Sequence, residues 1–254
     1  MTLIDTHAHL DHLEGIDEAL EAALQAGVES IVAVGVDLAA NKKNLEIKRR
    51  TKNPRIHVAF GMHPGNINLQ EFEECIKLIR NNIREAVAIG EIGLDYWYPG
   101  VKKDKAKKDE QQKVFRLQLS LAQEYNLPAV IHSRGAWRDC LEFTKEAGLK
   151  KAVFHWYSGP VDVLQEIVHC GYYVSTTPSL AYSPQSREAI AHAPIQRTMI
   201  ETDCPVFYRE GENGFKAQPK DVVRTLNAYA QLKKIKPEDA LKTLNRNAKE
   251  FFGL

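Results

Sequence analysis

Leu3-Ile4-Asp5-Thr6-His7-Ala8-His9 opens the chain as a short apolar run that turns polar at its end. Apolar residues then recur three and four apart, at Ile16, Ala19, Leu20, Ala23 and Leu24, before Ser30-Ile31-Val32-Ala33-Val34 restores a β-branched run. The first and last runs suit strands, and the spacing between them suits one face of an amphipathic helix. The same unit repeats to the end of the chain. Strands are predicted at residues 3–7, 30–34, 56–60, 86–90, 129–132, 152–156, 172–176 and 198–202. Helical spacing separates them, as at Val114, Phe115, Gln118, Leu119 and Ala122, and again at Val222, Val223, Leu226, Tyr229 and Ala230. Pro237-Glu238-Asp239 reads as a helix start, where a missing N–H costs nothing and acidic side chains suit the dipole. Such alternation implies parallel strands joined by right-handed crossovers. Eight units in 254 residues is the arithmetic of a (β/α)8 TIM barrel. No Gly-x-Gly-x-x-Gly follows the first strand, which argues against an open dinucleotide-binding sheet. No linker divides the chain, so residues 1–254 read as one domain.

Composition narrows the function classes. Lys and Arg number 34 against 33 Asp and Glu, a formal charge of +1, so bulk charge makes no case for nucleic acid or an anionic membrane. An anionic partner must be held by a local patch or a metal. No apolar run approaches the roughly 18 residues of a membrane span, and the N-terminus lacks the basic and apolar segments of a signal peptide. Cys75, Cys140, Cys170 and Cys204 form no Cys-x-x-Cys pair and read as free thiols of a cytoplasmic protein. Cys204 has no basic neighbour to activate it as a nucleophile.

The polar residues that interrupt the apolar runs fall at the ends of predicted strands, where a barrel forms its active-site mouth. His7 and His9, two apart on a strand, leave the same face and can converge on one divalent cation. Asp203, from the strand that closes the ring, can add a carboxylate to that ion. His132 and His155 sit on adjacent strands and can hold a second ion, with Glu91 bridging the two. Paired ions activate a water between them and polarise the bond it attacks. Each residue also has an ordinary structural reading: a hydrogen-bonded histidine at a strand end, a satisfied buried carboxylate, an aspartate opening a turn before Cys204-Pro205. Six ligand-type residues at five strand ends outweigh those readings taken together, because unpaired buried charges are costly.

Several stretches together resemble the TatD family of metal-dependent deoxyribonucleases. They are Ile4-Asp5-Thr6-His7-Ala8-His9-Leu10-Asp11, Gly61-Met62-His63-Pro64 and Ile89-Gly90-Glu91-Ile92-Gly93-Leu94-Asp95-Tyr96. Leu127 to Arg134 with Ala136, Phe154-His155 with Ser158-Gly159, and Ile200-Glu201-Thr202-Asp203 complete the set, in order over nearly the whole chain. The resemblance implies an amidohydrolase-type barrel that hydrolyses DNA phosphodiester bonds, with His7, His9, Glu91, His132, His155 and Asp203 as ligands of two divalent ions, Zn, Mn or Mg. It also implies that His63 contacts the substrate phosphate or leaving group. The chain departs from the family pattern at Trp156-Tyr157 after His155, at Thr176-Thr177-Pro178-Ser179, and from Tyr208 to Pro219.

Further residues are read as substrate contacts. Lys102-Lys103-Asp104-Lys105-Ala106-Lys107-Lys108 carries five lysines in seven residues soon after Tyr96-Trp97-Tyr98. Lysines on phosphates and rings on bases suit a nucleic-acid strand, whereas a solvated loop leading into a helix is the plain alternative. Trp156 and Tyr157 are placed to stack, and Arg134, two residues after His132, to clamp phosphate. The resulting expectation is a cytoplasmic, monomeric exonuclease acting on single strands or ends of DNA. In it Asp203, Glu91 and His63 are catalytic: Asp203 orients the water or takes its proton, Glu91 holds the metals, and His63 and Arg134 steady the phosphate. Glu201 supports the ligands from behind. The alternatives are the same bimetal barrel acting on a carboxyl ester or amide, including aminoacyl-tRNA deacylation, and a metal-binding partner protein with little turnover.

Overall fold

The computed structural model describes residues 2–210 and 213–254. Eight parallel strands form one sheet in sequence order: β1 (Leu3–Ala8), β2 (Val28–Val34), β3 (Arg55–Phe60), β4 (Ala86–Gly93), β5 (Ala129–His132), β6 (Ala152–Phe154), β7 (Tyr173–Thr176) and β8 (Thr198–Ile200). The crossovers are α1 (Ile16–Gln25), α2 (Leu38–Arg50), α3 (Leu69–Asn81), α4 (Lys105–Glu124), α5 (Trp137–Glu146), α6 (Val161–His169) and α7 (Pro184–His192). After β8 come α8 (Val222–Lys233) and α9 (Pro237–Phe252). This is the expected single-domain TIM barrel.

The ring closes mainly beyond the end of β8. Ala8 pairs with Cys204 in an isolated parallel bridge, Asp203 N–H donates to the His7 carbonyl (2.9 Å), and His9 N–H to the Cys204 carbonyl (2.9 Å). The buried Asp5 carboxylate adds two bonds, from the Thr202 N–H (2.9 Å) and hydroxyl (2.6 Å). Closure therefore fixes His7, His9 and Asp203 relative to one another.

Two apolar layers hold the barrel. One cluster takes at least one side chain from each strand, among them Ile4, Val32, Ala59, Ala88, Val130, Val153, Tyr173 and Met199, so it is the barrel interior. Phe251 and Phe252 of α9 join it and close the end away from the strands' C-termini. The larger cluster, with Ile31, Phe60, Phe115, Leu119, Phe154 and Ile167, lies between strands and helices. Burial of aliphatic and aromatic side chains on both strand faces explains why the strands read as continuous apolar runs.

Three features differ from the sequence reading. β4 runs to Gly93, so Glu91 lies inside a strand. β6 and β8 stop early, at Phe154 and Ile200, because Trp156 (φ 41°) and Asp203 (φ 50°) take left-handed conformations that no strand accommodates. The stretch from 207, given no strand in the sequence reading, contains an antiparallel pair, β9 (Phe207–Glu210) with β10 (Asn213–Lys216). Tyr208 anchors it: its ring is buried and its hydroxyl donates to the Thr202 carbonyl (2.8 Å).

Candidate metal centre

All the sequence-predicted ligands meet at the C-terminal end of the barrel, around Glu91. The Glu91 carboxylate is buried and divides its oxygens. Oε2 faces His7 Nε2 (3.3 Å) and His9 Nε2 (3.5 Å), both also beside Asp203 Oδ1 (3.4 and 3.2 Å). Oε1 faces His132 Nδ1 (2.8 Å), His155 Nε2 (2.8 Å) and His63 Nε2 (3.4 Å). Two left-handed residues frame this group, Asp203 itself and Trp156 directly after His155. Such non-glycine conformations cost on the order of 1–3 kcal/mol and concentrate at functional sites.

The first half of the site fits a cation. His7 Nε2 and Asp203 Oδ1 are buried with no hydrogen-bond partner among the described residues, an expensive arrangement for polar atoms unless an ion satisfies them. Ligands about 2.1 Å from a tetrahedral ion lie about 3.4 Å from each other, and the four histidine-to-carboxylate distances here run from 3.2 to 3.5 Å. The second half has the right donors in tighter contact. His132 Nδ1 and His155 Nε2 are 3.2 Å apart and both at hydrogen-bond distance from Glu91 Oε1. His63, Glu91 and His132 also offer donor atoms all within 4.8 Å of one another.

A carboxylate stands behind each histidine of the second half. Asp95 Oδ2 accepts from His132 Nε2 (2.8 Å), and Glu201 Oε1 lies 3.3 Å from His155 Nδ1. Such pairs fix the ring and its tautomer and raise its basicity as a ligand. Glu201 is held in turn by Trp156 N–H (2.9 Å) and the Ser175 hydroxyl (2.6 Å). Asp95 also takes Arg134 Nε (2.7 Å) and the Trp97 backbone N–H (2.9 Å), so one buried carboxylate joins a candidate ligand, a cationic side chain and the cleft rim. Sequence reasoning gave Asp95 no role. The signal available was its place in Glu91-Ile92-Gly93-Leu94-Asp95, four residues after the bridging carboxylate.

The electrostatics favour a cation. Burial opposes ionisation of Glu91, yet the charge of His155 and the hydrogen bonds from His132 and His155 hold its carboxyl well below the usual range. Asp203 is lowered as well, against burial, by His9 and His7. Burial alone would depress His9, but Asp203 and Glu91 beside it raise it to about 9. His7 is lowered by burial and by the stacked His155 ring, 4.0 Å away. His63 behaves differently: burial pushes it down to about 3. Its Nδ1 accepts from Gly65 N–H (2.9 Å), so the neutral ring carries its proton on Nε2 and aims that donor into the site.

The site opens into a cleft of about 620 Å³. His9, His63, Glu91, His132, Arg134, His155, Trp156 and Asp203 all line it. Trp156 is pinned by an indole N–H to Ser179 (2.9 Å) and by the Tyr208 ring at 5.6 Å. Tyr157, read as a substrate contact, is not brought to the cleft. Its ring is fully buried and its hydroxyl donates to the Pro160 carbonyl (2.7 Å), because the Trp156 turn sends successive side chains opposite ways. Lys102 and Lys103 are exposed and absent from the lining. The lysine run is not one loop: Asp104 caps α4, and Lys105, Lys107 and Lys108 lie in its first turn. Trp137, unassigned from sequence, does line the cleft.

Among the described residues no helix is long and apolar enough to cross a membrane. A family model described as TatD related DNase matches residues 4–253. The metal-dependent hydrolase YabD of Bacillus subtilis is 32% identical, covering 99% of each chain. The human deoxyribonuclease TATDN3 is 29% identical, over 98% of this chain and 94% of its own. The crystal structure of the TatD homologue YjjV from Escherichia coli superposes with a TM-score of 0.89 at 25% identity, covering 99% of this chain and 98% of that one. A family match of this extent, on a barrel carrying this histidine and carboxylate centre, means that the chain belongs to the TatD family of metal-dependent hydrolases.

Proposed function

We propose that the protein hydrolyses DNA phosphodiester bonds with two divalent ions, Zn, Mn or Mg, working as an exonuclease on single strands or ends. The observation that carries this reading is the division of Glu91, one oxygen to His7 and His9 and the other to His132, His155 and His63. Divalent ions held by His7, His9, Glu91, His132, His155 and Asp203 would polarise the phosphate and supply a nucleophilic water near neutral pH. Asp203, kept ionised by its histidines, would orient that water and accept its proton. His63 presents a neutral Nε2–H to a phosphate or leaving oxygen. Arg134, backed by Asp95, offers its guanidinium at the cleft to the phosphate. The deoxyribonuclease name of the human relative supports the choice of DNA. The proposal takes the protein as a monomer of the cytoplasm, a compartment that the four free cysteines suit.

The test uses purified protein with Mg²⁺, Mn²⁺ or Zn²⁺ on single- and double-stranded oligonucleotides, beside a panel of carboxyl esters and amides including an aminoacyl-tRNA. Mononucleotide release from strand ends, lost in Asp203→Asn, is the expected result. Ester or amide cleavage lost in Asp203→Asn, with no nucleolysis, overturns the reading.

A further inference from the structure

One wall of the cleft is aromatic and built in advance of any ligand. Trp97 and Trp137 meet edge to face, with ring centres 5.5 Å apart and planes at 88°, so they form a corner. Trp97 is 55% exposed although both rings line the cleft. Each indole rests on a glycine. A Cβ on Gly135 would stand 2.4 Å from Trp97 Cδ1, and one on Gly159 would stand 2.6 Å from Trp137 Cγ. Gly135 also has φ +72°, a conformation that disfavours any side chain. The chain thus gives up side chains at two positions to seat two rings that face the cleft.

The corner is tied to the reacting centre. Asp95 receives the Trp97 backbone N–H through Oδ1 and both Arg134 Nε and His132 Nε2 through Oδ2. A phosphate held between the metal ligands and Arg134 therefore has a fixed aromatic corner beside it. We propose that Trp97 and Trp137 form a subsite for an unpaired nucleobase next to the scissile phosphate, which makes the protein selective for base-bearing single-stranded ends. This rests on the phosphodiesterase reading above and adds what is recognised beyond the phosphate. A base in a duplex has both faces stacked and cannot enter the corner, whereas an unpaired one can lie on one indole and abut the other. Rings already seated lose little freedom on binding, which favours stacking.

The experiment compares two oligonucleotides of equal length and charge, one with normal bases and one with abasic residues at its terminal positions, using the metal-loaded protein. The wild type is expected to prefer the base-bearing strand by roughly five- to a hundredfold in kcat/KM, the range that one stacked base supports. The preference should fall toward unity in Trp97→Ala and Trp137→Ala and be largely retained in Trp97→Phe and Trp137→Phe, with thermal unfolding used to show that each variant is folded. An equal rate on both strands in the wild type, or a preference unchanged in the folded alanine variants, overturns the subsite. If neither strand is cleaved, the nuclease reading fails, and tryptophan fluorescence still decides the subsite. Quenching by the base-bearing strand but not by the abasic one supports it, and equal response to both overturns it.

Discussion

The two halves of the candidate metal centre use the same kinds of donor and are held differently. His7, His9 and Asp203 come from β1 and the segment after β8, where barrel closure itself sets their spacing. Their distances to one another and to Glu91 Oε2 already match those around an ion, and four of their buried polar atoms have no hydrogen-bond partner among the described residues. His132 and His155 are instead drawn onto Glu91 Oε1 at 2.8 Å and steered from behind by Asp95 and Glu201. An ion entering this second half has to displace those contacts. The backbone preorganises one half, and side-chain networks position the other.

The largest effect is expected where the halves share an atom pair. Glu91→Gln keeps the shape and removes the bridging charge, and activity should fall by on the order of 10³-fold or more, with metal content reduced in both halves by elemental analysis. Retention of two tightly held ions in this variant would break the picture of a common bridge.

Asp203→Asn comes next. It strips the first half of its own carboxylate, so roughly 10²- to 10³-fold should be lost from kcat, with one ion missing and the other bound as before. Loss of both ions would mean that the halves are not separable.

Asp95→Asn probes the second half alone. Removing a carboxylate that orients a ligand typically costs about 10- to 100-fold in metal affinity or activity. Weakened binding should be confined to one of two sites in a calorimetric titration. A uniform loss at both sites would show that Asp95 holds the whole mouth together instead of His132.

The smallest effect separates the halves without mutation. Metal titrated into chelator-treated protein should bind in two steps, the tighter at His7, His9 and Asp203, since the weaker half first has to release hydrogen bonds. Filling the tight site at about 100 times its Kd stabilises the fold by about 2.7 kcal/mol. For a chain of this length that raises Tm by about 5–10 °C, readable by calorimetry and reversed by chelator. Two equal sites would erase the difference between the halves.

The candidate ligands were legible in sequence because each is a polar residue breaking an apolar run, and a barrel gathers all its strand ends on one side. The residues that support them were not. Asp95 reaches His132 and Arg134 across 37 and 39 positions, and nothing local distinguishes it from a turn aspartate. Trp137 looks like an ordinary first residue of α5 until the Gly159 backbone is seen beneath it. The basic run read as a loop divides at Asp104, whose cap on α4 turns three of its five lysines into helix residues. The β9–β10 pair escaped because four-residue strands are too short to establish a period of two.

The sequence by itself determined the eight strand and helix units, the barrel they make, and the histidines and carboxylates that converge at its mouth. All of these follow from the periodicity of side chains along a strand or helix. The tertiary structure decided which Glu91 oxygen each histidine meets, which carboxylate stands behind each ring, and that Tyr157 points into the core while Trp97 and Trp137 face the cleft. Those contacts depend on the closure between Ala8 and Cys204 and on two left-handed residues, Trp156 and Asp203. A pattern of residue types fixes which face a side chain leaves from. Only the packed chain fixes what it meets.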